Sequence, residues 1–203
     1  MAMRKALLAG SIAICGLLGF LGVESSAFSD TPKPAAAPVA PVDTDVADFG
    51  DWRFGCAQPD KKVPKECRIF QRVSWGKDKG HEMAMSVIMF AIDDKAAAAA
   101  KAKEKPVVLM KVVMPMGVDL RAGLGMAIGK GGKTSVIPYS VCVPAGCLAT
   151  IGLAGGIVDK IKTADGVIIA YRTPGPGKAS GLKISTKGFD QAVDALMKAK
   201  KAK

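Results

Sequence analysis

Sulfur gives this chain most of its chemistry. Of five cysteines, Cys15 lies in an apolar N-terminal run, which leaves Cys56, Cys67, Cys142 and Cys147. An even set in an exported chain implies two disulfides, and four cysteines allow three pairings. Local pairing, Cys56–Cys67 and Cys142–Cys147, asks least of the chain, because each pair flanks one turn. Pro144 fixes φ and Gly146 admits φ > 0, so Val143–Gly146 reads as a hairpin loop. Its ends then fall within bonding reach of each other. The turn-rich stretch Gln58–Pro64 does the same for Cys56 and Cys67. Loop-closure entropy gives about 2 kcal/mol for the short loop and about 3 kcal/mol for the longer one, clips rather than the main source of stability. A four-cysteine zinc site would use short Cys-x₂₋₄-Cys knuckles, and Cys56 to Cys67 is too long for one. A Cys-x-x-Cys redox pair is absent.

The other reactive candidates are thin. His81 is the only histidine and stands in the polar turn Lys77–His81, with no Gly-x-Ser-x-Gly elbow to supply a triad serine. His81, Met83 and Met85 can share one strand face, and Met114 and Met116 repeat the spacing. Such a set suits Cu(I), although strand periodicity and the use of methionine as core filler explain it equally. Lys130-Gly-Gly-Lys133 lacks the remainder of a phosphate loop and reads as a turn. Asp93 and Asp94 read as helix caps, and Asp159 and Asp165 flank a turn. No residue is assigned a catalytic, metal-binding or cofactor-binding role.

The formal charge of +11 points either to anionic partners such as lipid or lipopolysaccharide head groups or acidic glycans, or to solubility alone, with the charge diluted over the surface. Nucleic acid is disfavoured, because only 5% of residues are aromatic and no basic-aromatic stripe offers a stacking platform.

The elements that must carry these residues follow in order. Residues 1–27 have a basic start, the apolar run Ala6–Val23 and the small residues Ser25-Ser26-Ala27, the pattern of a secretory signal peptide, with an uncleaved membrane anchor as the alternative because the apolar run is long for the type. Its Arg4, Lys5 and Glu24 sum to +1, so the mature chain carries +10. Residues 28–47, rich in proline and alanine, are expected to form a disordered linker. A domain is expected over 48–199, with a basic tail at 200–203. Within it, Asp51–Cys56, Glu66–Ser74, Glu82–Asp93, Val107–Met114, Val118–Arg121, Leu124–Ile128, Val167–Tyr171 and Gly181–Ser185 have strand character. The run Glu82–Asp93 is apolar on both faces, as a central strand is. Asp94–Lys105 is predicted to be an exposed alanine-lysine helix stopped by Pro106. A short helix follows Gly155-Gly156. A last helix, capped by Ser185 or Thr186, puts Phe189, Val193, Leu196 and Met197 on one face. Many short strands at hairpin spacing with two or three minor helices predict an antiparallel β-sandwich of immunoglobulin-like architecture.

Asp51-Trp52, Cys56, Cys67 with Gln71, Pro115-Met116-Gly117-Val118, Cys142 with Gly146-Cys147, and Gly188-Phe189 with Ala192 occur in that order. This set resembles the invasion-associated locus B family of exported bacterial proteins, over about Asp48 to Lys198. The resemblance implies a β-sandwich, a periplasmic, outer-membrane-associated or secreted location and, in some pathogens, a part in host-cell entry. It brings no catalytic residues. The expected function is a non-enzymatic envelope or secreted protein that binds an envelope or host-surface component. The alternative is a periplasmic copper carrier or an envelope enzyme. Peptide mapping without reduction is expected to return Cys56–Cys67 and Cys142–Cys147, and a Cys56–Cys142 or Cys56–Cys147 crosslink refutes that pairing.

Overall fold

A computed structural model describes residues 46–58, 60, 62–76, 83–99 and 104–202. All fall in the compact unit Ala40–Lys203. The expected signal peptide and all but the end of the linker lie outside the described residues, as do His81 and Lys77–Gly80.

The chain runs β1 Ala47–Phe49, β2 Trp52–Ala57, β3 Glu66–Trp75, β4 Met83–Ala91, α1 Asp94–Ala99, β5 Pro106–Met114, β6 Leu124–Ile128, β7 Ser135–Ile137, β8 Tyr139–Val143, β9 Gly146–Ala154, α2 Gly155–Thr163, β10 Val167–Tyr171, β11 Ser180–Ile184 and α3 Phe189–Lys201. The strands form a seven-stranded sheet in the order β1-β2-β3-β4-β5-β9-β8 and a four-stranded sheet in the order β11-β10-β6-β7. Every pairing is antiparallel, as the strand pattern predicts.

Period-two patterning decides which face is inside. Along β5, Val108, Met110, Val112 and Met114 are buried, while Leu109, Lys111 and Val113 are only partly covered. Along β4, Met85, Val87 and Met89 point the same way. β4 is the central strand expected from its composition. These side chains form one core with Leu124, Met126 and Ile169 of the smaller sheet, with Val158 and Ile161 of α2, and with Phe189, Val193 and Leu196 of α3. The second sheet and both longer helices therefore share the inner side of the large sheet.

One polar junction fastens the layers. Gln71 is 6% exposed and reaches across to the segment after β11. Its Oε1 accepts the Ser185 N–H at 2.9 Å, and its Nε2 donates to the carbonyls of Ser185 and Asp51, each at 3.2 Å. Trp52 Nε1 donates to the same Ser185 carbonyl at 2.8 Å, and its ring lies 5.1 Å from that of Phe189. Gly188 adopts φ +80°, and a Cβ there would overlap the Phe49 carbonyl, so the β1–β2 turn and the start of α3 meet backbone to backbone.

Several local expectations need correction. Val118–Arg121 is not a strand. Asp119 Oδ1 accepts the Arg121 N–H at 3.1 Å, and the Asp119 N–H goes to the Arg172 carbonyl at 2.8 Å, so local bonds replace a ladder. The α3 cap is Gly188, without a side-chain bond. Thr186 instead donates its hydroxyl to the Ala164 carbonyl at 2.8 Å, and Ser185 Oγ accepts the Lys187 N–H at 3.2 Å. The alanine helix is described only over Asp94–Ala99, capped by Asp93, whose Oδ1 accepts the Ala96 N–H at 2.7 Å. Pro106 opens β5, a strand's first position, where its missing N–H costs no ladder bond. Ahead of the predicted Val143–Gly146 hairpin loop, Pro138 divides the chain into β7, which joins the small sheet, and β8, which joins the large one.

Gln71→Leu keeps side-chain bulk but strands the buried Ser185 N–H, at a cost of about 2 kcal/mol. For a chain of this size that is expected to lower Tm by about 4–8 °C. Arg53→Ala, which removes an exposed pair with Asp48, is expected to shift it by about 1–2 °C at most. Thermal unfolding followed by circular dichroism checks both.

Candidate functional site

The outer face of the large sheet is assembled by register. Three transverse rows cross it. The first is Gly55, Arg68, Phe90, Leu109 and Gly152; the second is Arg53, Phe70, Ile88, Lys111 and Thr150; the third is Arg72, Ser86, Val113, Leu148 and Val141. Among the described residues no helix or second sheet lies across this face. Its cations cluster on β2, β3 and β5, and its apolar side chains on β4, β5 and β9, continuing at the edge into exposed Val141 and Val143.

The cations are held over aromatic rings. Lys111 Nζ lies 4.8 Å from the Phe90 ring centre, and the Arg68 guanidinium lies 5.9 Å from that of Phe70. Asp48, opposite Arg53 in β1, is bonded to it at 2.7 Å, which raises the Arg53 pKa. Arg72 and Lys111 have no carboxylate partner among the described residues. The face therefore combines hydrogen-bonding cations with apolar surface, a pairing that suits an anionic amphiphile.

The four candidate cysteines are placed as expected. Cys56 faces Cys67, and Cys142 faces Cys147, each pair directly cross-strand with Cα atoms 4.0 Å apart and joined by a disulfide. Gly146 has φ +138°, and any Cβ there would overlap the Met114 carbonyl, which keeps the second hairpin pressed on β5. Met116 Sδ lies 3.9 Å from Cys147 Sγ. The methionines of the copper pattern are not brought together at the surface: Met85 and Met114 are fully buried in the core, whereas Met83 and Met116 are exposed. Lys130-Gly-Gly-Lys133 forms the β6–β7 turn.

The arginines and aromatics of the outer face were not singled out in the sequence. The available signal was the alternation in β3, where Arg68, Phe70 and Arg72 interleave with Ile69, Gln71 and Val73.

Residues 52–197 match the sequence profile of the invasion associated locus B (IalB) protein family. The chain belongs to that family. The residues that carry the resemblance lie chiefly at three places in the fold: Trp52, Gln71, Gly188 and Phe189 at the Ser185 junction, the Cys56–Cys67 bridge across β2 and β3, and Met116, Gly146 and the Cys142–Cys147 bridge at the β8–β9 hairpin. All three roles are architectural. Two invasion protein B homologs of Brucella abortus, from strain 2308 and from biovar 1 strain 9-941, are each 29% identical over 85 residues, 42% of this chain. The chain spans about half the length of these curated relatives, 49% of each. The crystal structure of invasion associated protein B from Bartonella henselae shares the fold, with a TM-score of 0.59 at 18% identity, covering 78% of this chain and 99% of that one.

In β8, Tyr139 has its hydroxyl buried without a hydrogen-bond partner among the described residues, and burial pushes its pKa up to about 12. The folded state resists forming the phenolate. Its contribution to stability is therefore intact below the unfolded pKa near 10 and is lost as pH rises from there to about 12. Spectrophotometric titration is expected to show one of the two tyrosines ionising near pH 12 in the native protein and near pH 10 after unfolding; two native transitions near 10 would contradict it.

Proposed function

We propose that this family member is an exported, non-enzymatic envelope or secreted protein that binds an anionic lipid surface through the outer face of its large sheet. The observation that carries this reading is the register that sets Arg53, Arg68, Arg72 and Lys111 among Phe70, Ile88, Phe90 and Leu109 on a face that no helix or second sheet covers among the described residues. Cations near a negatively charged leaflet contribute about 1 kcal/mol each, and the apolar half of the face gains from contact with the interface. The mature charge of +10 brings the protein to such surfaces. The leader read from residues 1–27 and the two disulfides support export, because such bridges persist in oxidising compartments. In a host-associated bacterium, adhesion of this kind is the contribution the protein makes to host-cell entry.

Co-sedimentation with vesicles of anionic phospholipid, compared with zwitterionic vesicles, tests the reading. Binding is expected to be selective for the anionic vesicles. It should weaken steeply as salt rises from about 0.01 M to about 1 M, which shortens the Debye length from about 30 Å to about 3 Å. Arg72→Gln with Lys111→Gln should weaken it by about 2 kcal/mol, roughly thirtyfold. Binding that ignores ionic strength or lipid charge would overturn the proposal.

A further inference from the structure

A cleft of about 400 Å³ opens between the two sheets beside α2. Met126 and Ile128 of β6, Ile151 and Leu153 of β9, and Ile157 of α2 give it an apolar wall. They come from the inner faces of both sheets, so the cleft is a gap in the sandwich filling, distinct from the outer face described above. Its size falls in the range of small-molecule sites, roughly 300–1,000 Å³, and such sites pair an apolar lining with a few polar groups.

The polar groups here are of one sign. Lys133, from the β6–β7 turn, and Lys160, from α2, both line the cleft, with Ser135 beside them and no carboxylate. Other lysines of the domain are paired: Lys162 with Asp190 at 2.6 Å and Asp194 at 3.4 Å, Lys183 with Asp165 at 3.8 Å, and Lys200 with Asp94 at 2.9 Å. Lys133 and Lys160 have no such partner among the described residues. Two uncommitted ammonium groups beside an apolar gap are complementary to a carboxylate on a hydrocarbon chain. A chain in the gap would cover wall atoms that the sandwich leaves without neighbours, and the head would accept hydrogen bonds from both lysines.

We infer that this cleft binds a single free fatty-acid carboxylate, its chain against Met126, Ile128, Ile151, Leu153 and Ile157 and its head between Lys133 and Lys160. The site does not depend on the lipid-surface reading of the outer face.

Calorimetric titration of the full chain with octanoate, decanoate and dodecanoate, each below its micelle concentration, tests this. One saturable site is expected, with affinity rising roughly tenfold for each two added methylenes. Dodecyltrimethylammonium, with a similar tail and the opposite charge, should bind at least tenfold more weakly than dodecanoate. Lys133→Gln with Lys160→Gln should abolish that preference while tail-length dependence survives. Ser135→Trp, a substitution at an exposed position, should fill the cleft and remove binding of every chain, with circular dichroism checking the fold. The Arg72→Gln, Lys111→Gln variant should bind dodecanoate as the parent does, which separates failure here from failure at the outer face. The inference is overturned if no saturable binding is seen, if affinity is flat with chain length, if the lysine variant keeps the full preference, or if only vesicles bind.

Discussion

The carbonyl and N–H of Ser185 are where the two layers of this protein are made to agree. A buried amide and an indole from the large sheet, Gln71 and Trp52, hold both groups of one peptide segment that has just left the small sheet. Water cannot satisfy these groups in the interior, so each partner depends on the others. The bonds specify where the turn into α3 passes, and from that follow the packing of Phe189 on Trp52 and the close approach of Gly188 to Phe49. Hydrophobic burial supplies most of the driving force for the sandwich. It does not choose among alternative seatings of a helix on a sheet, whereas a set of directional bonds to one backbone segment does.

With the inner side committed to the second sheet and two helices, the outer side of the large sheet is left open among the described residues. Covering only one face is a normal solution for antiparallel sheets, which tolerate water on the other. Here that face is neither uniformly polar nor uniformly apolar. Cations lie over aromatic rings beside aliphatic side chains, and the disulfide-clipped hairpin stiffens the edge where the apolar strip ends. Both cystines bridge strands already paired by the sheet. Their effect is to keep the ends of those hairpins closed when the ladder frays.

The strands with strong alternation or continuous apolar character, β3, β4, β5 and β10, were legible in the sequence almost to the residue, because burial imposes the period that reveals them. The cystine pairs were legible for the related reason that each flanks a short turn. The errors fall where tertiary context outweighs local preference. Val118–Arg121 has strand-like composition, yet the Asp119 carboxylate captures a backbone N–H and bends the chain. Thr186 has the chemistry of a helix cap, but its hydroxyl is taken by Ala164 on a distant segment. The Gly50-Asp51 pair between Phe49 and Trp52 is a hairpin signal that marks β1, hidden because so short a strand has no period of its own. Of the outer face, the alternation in β3 was visible. Which strands stand beside β3, and hence which side chains complete the face, is a matter of register across the sheet that no single segment encodes.

Pro138 has a mechanical consequence. The chain leaves the small sheet at Ile137 and enters the large one at Tyr139, so a single covalent bend stitches the rims of the two layers together. Sliding one layer over the other would drag on that bend at once. Shear must first peel either a three-residue strand from β6 or a cystine-braced one from β9, and the weaker seam is the former. Under load, the sandwich should part by unzipping its short rim strand rather than by gliding along its oily middle.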